Sequence, residues 1–276
     1  MKNLINVRGK LLDLETPCVM GVLNVTPDSF YAGSRKQTDE DIMARANQII
    51  SEGGSIIDIG AYSSRPYADD VSPEEEMRRL KSGIAAVRRA QPEAVISVDT
   101  FRADVARACI EEYGADIIND ISAGELDSDM FQTVARLNVP YILMHMKGTP
   151  QNMQKNPHYD NLMAEIMLYF AKKVEELRQL GVKDMIIDPG FGFAKSLDDN
   201  YKLLSHMEYL NEFELPVLVG VSRKSMIFKL FGCTPDEALN GTTVIDTIAL
   251  MKGASILRVH DVRQAVEAVT IYQKMK

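Results

Sequence analysis

The stretch Val19-Met20-Gly21-Val22-Leu23-Asn24-Val25-Thr26-Pro27 decides the fold. Its apolar part, residues 19–25, reads as a strand buried on both faces, and it breaks at Thr-Pro rather than at a glycine-rich turn. An open doubly wound sheet would usually show Gly-x-Gly-x-x-Gly at that place. Working outward, further short β-rich runs fall at residues 55–59, 94–98, 116–118, 141–144, 185–187, 217–219 and 255–259. Between them, apolar residues recur at helical spacing, as in Ile42, Ala46, Ile49 and Ile50, or Met77, Leu80, Ile84 and Val87. Leu162, Ile166, Phe170 and Val174 form a third such stripe. Ser72-Pro73-Glu74-Glu75 and Thr234-Pro235-Asp236-Glu237 each offer an N-cap, a proline for the first helical position and a glutamate for a capping box. Eight strands alternating with helices over 276 residues predict an α/β fold, a (β/α)8 TIM barrel, as a single domain over residues 1–276.

Charge excludes some classes of function. The 31 basic and 39 acidic residues leave a net charge of −8, with no Lys/Arg-rich tract. A nucleic-acid or anionic-membrane surface is disfavoured, and an anionic ligand must be held by a few local cations. Cys18, Cys109 and Cys233 are scattered and form no CxxC pair, which argues against a disulfide framework or a zinc site. Lys2, Arg8 and Lys10 are not followed by an apolar signal core, and no run of about 18 apolar residues exists. The expectation is a soluble cytoplasmic protein.

Barrel chemistry sits at the C-terminal ends of the strands. Those positions hold Asn24, Ser64-Arg65, Asp99, Asn119-Asp120, His145, Asp188, Arg223-Lys224 and Arg258 with His260. In Asp188-Pro189-Gly190-Phe191-Gly192-Phe193 an acid reaches the rim of the sheet. Its two glycines would let a flat ligand approach the backbone, and its two phenylalanines would supply aromatic walls. A carboxylate so placed can accept two hydrogen bonds from the amidine-like edge of a guanine-like or pterin ring. Asp99, Asn119 and Asp188 suit a donor-rich heterocycle, whereas Asn24, Arg65, Arg258 and His260 suit phosphate oxygens. Lys224 could serve either group, or form a Schiff base. Each residue has a plainer reading: Asp99-Thr100 as a helix cap, Asn119 as a turn residue, His145 as a structural histidine, Arg258 and His260 as a solvated rim.

In combination, GVLNVTPDSF (21–30), DIGAYSSRP (58–66), SVDT (97–100), NDIS (119–122), LMHMKGTPQNMQ (143–154), DPGFGFAK (188–195), GVSRKS (220–225) and RVHDV (258–262) resemble the dihydropteroate synthase family, in the family's order. The resemblance implies a barrel, a homodimer, Mg²⁺ dependence and inhibition by sulfonamides. It implies condensation of 6-hydroxymethyl-7,8-dihydropterin diphosphate with 4-aminobenzoate, releasing diphosphate. Carried over, it places Asp99, Asn119, Met144, Asp188, Phe193, Lys224 and Arg258 at the pterin. Asn24, Ser64, Arg65, Arg258 and His260 fall to the diphosphate, with Asn24 on the metal. Thr26, Pro27, Phe30, Ser64, Phe193, Lys224 and Ser225 fall to 4-aminobenzoate. Asp99, Asp188, Lys224 and Arg65 are the catalytic candidates. The second loop departs from the family's GGESTRPG: Tyr62 replaces Glu, Ser64 replaces Thr and Tyr67 replaces Gly.

The chemistry implied is displacement at the pterin's exocyclic methylene, with a ring-stabilised carbocation and no strong general base. A methyltetrahydrofolate methyltransferase-like enzyme, a non-catalytic pterin-binding protein and a Schiff-base aldolase are the competing readings.

Overall fold

The computed structural model describes residues 4–26, 38–62, 71–149 and 158–276. A short antiparallel hairpin, β1 (Leu4–Val7) and β2 (Lys10–Asp13), comes first. The barrel strands are β3 (Cys18–Asn24), β4 (Ile56–Gly60), β5 (Val95–Asp99), β6 (Ile117–Asp120), β7 (Tyr141–Met144), β8 (Met185–Asp188), β9 (Leu218–Val219) and β10 (Ile256–Val259). All are parallel, in the order β8-β7-β6-β5-β4-β3-β10-β9. An isolated parallel bridge between Ile187 and Val217 joins the two ends of that order. The eight anticipated strands are therefore present, each within a residue or two of its expected position.

Helices α1 (Asp39–Ser51), α2 (Pro73–Ala90), α3 (Ala103–Glu111), α4 (Met130–Leu137), α5 (Leu162–Gln179), α6 (Leu197–Ser205), α7 (Ser225–Phe231), α8 (Leu239–Met251) and α9 (Val262–Lys274) lie between and after the strands. The stripes read from the sequence face the core: Ile42, Ala46 and Ile49 of α1, Leu80, Ile84 and Val87 of α2, and Leu162, Ile166, Phe170 and Val174 of α5 are buried. Local signals set the starts. Ser72 caps α2 by accepting from the Glu75 amide, and Pro73 occupies the first turn. The Glu75 carboxylate is taken up by Arg78 and Arg79 instead of completing the expected box. Thr234 and Glu237 do form a reciprocal box, around a 3-10 turn at Pro235–Ala238 that leads into α8.

The hairpin was not anticipated. Its Ile5 and Val7, with Leu14, cluster with Met20, Ile56, Ile117, Ile142, Ile186, Leu218 and Ile256, closing the N-terminal end of the barrel with apolar side chains. That leaves the opposite end as the open mouth.

Candidate active site at the barrel mouth

Strand register builds the site. Asn24 pairs with Gly60, Gly60 with Asp99, and Asp99 with Asn119, so one cross-strand row carries three of the mouth positions. Gly60 is the gap in the row. A Cβ there would lie 3.4 Å from Asn24 Oδ1 and 3.5 Å from Asp99 Cβ, in ordinary contact with both, so those two side chains flank the bare glycine. Further round, Met144 pairs with Asp188 across β7 and β8.

One layer deeper, Asp58 pairs with Val22 and Ser97 in the interior of β4 and is 0% exposed. A buried carboxylate must be compensated. Arg258 supplies this: its Nε donates to Asp58 Oδ2 at 2.7 Å and its Nη2 to Asp99 Oδ2 at 2.9 Å. Asn119 Nδ2 also approaches Asp58, at 3.3 and 3.4 Å from the two oxygens. Asp99 is pushed up by burial, against the opposing charge of Arg258. Arg258 thus links Asp99, an acid of the ring-binding group, to Asp58 beneath it. Asp58 escaped the sequence reading, which looked only at strand ends. The available signal was a carboxylate set in Ile56-Ile57-Asp58-Ile59.

Asp188 is 7% exposed, and its carboxylate accepts one hydrogen bond among the described residues, from the Gly190 amide at 2.8 Å. Burial raises its pKa, opposed first by Lys224. The glycines of this loop have a different task from the one expected. Gly190 has φ +70°, and a Cβ on it would fall 2.1 Å from the His145 carbonyl oxygen. Gly192 has φ +80°, and its missing Cβ makes room for Lys224 Cδ at 3.1 Å. Both close approaches are to protein rather than to a flat ligand. Phe191 is completely buried in the main core, so of the two aromatic walls only Phe193 stands at the mouth. There it joins a small cluster with Met144, Met146 and Ile121.

Lys224 and Arg223 diverge. Lys224 Nζ donates to the Phe191 carbonyl at 2.5 Å and lies 4.6 Å from the Phe193 ring centre. Burial lowers its pKa to about 8, and Asp188 is the main opposing charge. Arg223, with φ +54°, turns away to clasp Asp261 at 2.8 and 2.9 Å and the carbonyls of Pro235 and Asp236. Ser225 opens α7 half-buried beside Lys224. His260 sits at the exposed rim, its Nδ1 3.1 Å from Ser222 Oγ. Desolvation of its inner side and the charge of Arg258 lower its pKa.

Some plain readings prevail. Asp120 accepts from Ser122, Gly124 and Tyr141 OH and is spent on its own turn. His145 is buried, with Nδ1 3.0 Å from Lys195 Nζ, and burial lowers its pKa to about 2. Asp99 does not cap α3: the residue at the N-cap is Arg102, with no side-chain cap bond. Thr26 is described and half-buried just past β3. Pro27, Phe30, Ser64, Arg65 and Tyr67 lie outside the described residues. Among the described residues no group of three or more His, Cys, Asp or Glu side chains could hold a metal, and no helix is long and apolar enough to cross a membrane.

Known proteins share this architecture. Residues 20–260 match the family described as pterin binding enzyme. The chain is 42% identical over 268 residues to the dihydropteroate synthase of Escherichia coli K12, covering 96% of this chain and 94% of that one. The crystal structure of Yersinia pestis dihydropteroate synthase in a sulfonamide drug complex superposes with a TM-score of 0.92 at 40% identity, covering 99% of this chain and 98% of that one. That of Xanthomonas albilineans dihydropteroate synthase with 7,8-dihydropteroate gives a TM-score of 0.87 at 37% identity, with the same coverage. With a family match across the barrel and this identity over nearly its whole length, the chain belongs to the pterin-binding enzymes, in the dihydropteroate synthase family.

Proposed function

We propose that the barrel mouth joins 6-hydroxymethyl-7,8-dihydropterin diphosphate to 4-aminobenzoate, giving 7,8-dihydropteroate and diphosphate. The observation that carries this reading is Asp188: a buried carboxylate with hydrogen-bond capacity left over, next to Lys224. Such a group accepts from the N–H donors of a pterin's amidine-like edge through charge-assisted bonds, each contributing about 1.5–3 kcal/mol. Asn119 and Asp99 complete the polar side of the ring pocket, while Met144 and Phe193 supply its apolar side.

In the reaction, the bond between the exocyclic methylene carbon and the diphosphate oxygen breaks, and its electron pair leaves on diphosphate. The dihydropterin ring shares the positive charge left on carbon, and Asp99 and Asp188 favour that charge. The 4-aminobenzoate amine then forms the new C–N bond and loses a proton to solvent. Arg258 and His260 are assigned to the leaving group, with Arg258 also tied to Asp99; the resemblance assigns Arg65 there too. Lys224, Ser225, Phe193 and Thr26 are assigned to the 4-aminobenzoate side, where sulfonamides would compete, and the resemblance assigns Pro27, Phe30 and Ser64 to it as well. Mg²⁺, when bound, would neutralise charge on the diphosphate. The donor set suits it, since Mg²⁺ takes few protein oxygens beside water and phosphate, and Asn24 offers an amide oxygen at the end of β3.

The deciding assay is diphosphate release by purified protein with Mg²⁺. Release should require both substrates together. Pterin binding without any turnover would instead favour the non-catalytic binding reading.

We further propose a homodimer. Val244, Ile248 and Met251 recur at i, i+4 and i+7 on α8 and are exposed, as are Leu230 and Phe231 on α7. A second copy of this chain is the occupant that fits a resemblance to a dimeric family. Sedimentation equilibrium should give twice the chain mass, and Val244→Glu should shift it toward one chain.

A further inference from the structure

We propose that Lys195 is a positioning residue for pterin recognition: its ammonium is a built-in cation around which the loop bearing Asp188 and Phe193 is wound. Lys195 is 3% exposed, and no carboxylate lies within hydrogen-bond reach of it among the described residues. Burial lowers its pKa to about 7, opposed first by the charge of Asp188, so the ammonium is the form present below that pH. Its Nζ donates to the Gly190 carbonyl at 2.9 Å, the Phe193 carbonyl at 3.0 Å and His145 Nδ1 at 3.0 Å. An ammonium has three N–H donors, and here there are three close acceptors, with the His145 carbonyl marginal at 3.5 Å.

That arrangement explains the unusual backbone of this segment. Gly190, Gly192 and Ala194 all have positive φ, at +70°, +80° and +48°. Ala194 pays the steric penalty of a left-handed non-glycine residue, roughly 1–2 kcal/mol. A chain curled so tightly turns the Gly190 and Phe193 carbonyl oxygens toward one point in a dry interior, where their dipoles repel. The ammonium at that point turns the repulsion into attraction. Asn200, also buried, secures the outer side by accepting from the Gly192 amide at 2.7 Å and donating to the Lys195 carbonyl at 3.3 Å. Tyr159 OH donates to the Ala194 carbonyl at 2.9 Å.

The two functional side chains of the loop depend on this winding. Gly190 is held through its carbonyl by Lys195, and its amide, in the preceding peptide, donates to Asp188, so one residue links the ammonium to the direction of the acid. Phe193, held by its carbonyl, presents its ring to Lys224. His145, as an acceptor at Nδ1, is kept neutral with its proton on Nε2, which accounts for a buried histidine at a strand end that takes no part in the chemistry proposed above.

The inference rests on Asp188 binding the pterin, so the test measures both. Lys195→Met keeps the length and apolar stem and removes the charge and donors. Calorimetry would use 6-hydroxymethylpterin, which lacks phosphates, and inorganic diphosphate with Mg²⁺, on wild type, K195M and D188N. K195M should weaken the pterin at least tenfold and leave diphosphate within twofold. If D188N loses the pterin but K195M does not, Lys195 is not a positioning residue. Equal losses of pterin and diphosphate in K195M would show general loosening and also overturn the proposal. If D188N too leaves pterin affinity unchanged, the reading of Asp188 falls along with this inference. Should K195M fail to fold, K195R carries the test, because its planar fork keeps the charge but cannot point three donors at converging acceptors. It should then show the same selective loss of pterin, to a smaller degree.

Discussion

Two aspartates of the barrel, Asp116 before β6 and Asp188 at the end of β8, are almost equally buried, at 4% and 7% exposed, yet their surroundings differ. At the closed end, Asp116 is saturated. It accepts from the Ile96 amide at 2.7 Å, from Arg88 at 2.9 Å, and from Arg8 of the hairpin turn through two nitrogens. At the open end, the Asp188 carboxylate accepts from one backbone amide and otherwise feels the charges of Lys224, Arg258 and Lys195 through space. One buried acid satisfied so fully and another left short fit a structural carboxylate and, on the function proposed above, one that accepts from a ligand. Burial alone does not distinguish them; unspent hydrogen-bond capacity does.

The comparison breaks most easily at Asp116. Asp116→Asn removes a buried carboxylate from two partly exposed arginines and weakens its hydrogen bonds, and we expect a loss of about 1–3 kcal/mol in urea denaturation. Pterin affinity of the folded fraction should not change; a variant as stable as wild type would show that the saturated acid is no structural anchor. Asp188→Asn should do the reverse. It replaces an acceptor with a donor, and calorimetry should show pterin binding at least tenfold weaker, with the denaturation midpoint unchanged or slightly higher.

The smallest effect sharpens the electrostatics at the open end. A lysine with its pKa lowered to about 8 gives up its proton before a free lysine would. Affinity for the pterin diphosphate should therefore fall several-fold between about pH 7 and about pH 9, a range well below the ordinary lysine value of ~10.4. Stability moves the other way: above the lowered pKa the unfolded chain binds more protons than the folded one, so this group's cost to folding is relieved as pH rises. Calorimetry across that range should show a slope for wild type that Lys224→Met lacks.

The barrel was legible because parallel strands buried on both faces must be short and apolar, and the helices between them must carry one apolar stripe. The first strand's Asn-Val-Thr-Pro ending was enough to turn the choice from an open sheet to a barrel. The hairpin was missed because Leu4–Val7 and Lys10–Asp13 are too short to show a period, and only their packing under the barrel makes them necessary. At the mouth, strand-end positions located Asn24, Asp99, Asn119, Asp188 and Lys224, since a barrel delivers its polar residues there. The partners that hold them were not visible. Asp58 lies inside a strand, and Lys195 reads as a surface lysine at the start of a helix until the fold encloses it. Arg223 and Lys224 are neighbours in sequence, and only the positive φ at Arg223 sends them in opposite directions. Which glycine makes room for a ligand and which for another backbone is likewise a matter of tertiary approach.

The ring of strands is not equally strong around its circumference. β3 and β4 share five register pairs, whereas β8 meets the β9 side through the single bridge of Ile187 and Val217 and the bond from the Ile187 amide to the Pro216 carbonyl. Local opening costs least where the fewest bonds break. The ring therefore has one loose link, and it adjoins Asp188 on one side and the segment leading to Lys224 on the other. A barrel is usually regarded as a rigid cup, but here the wall between the acid and the lysine is the part expected to open first, and the Ile187 amide should then exchange with solvent deuterium faster than the amides of β3 and β4.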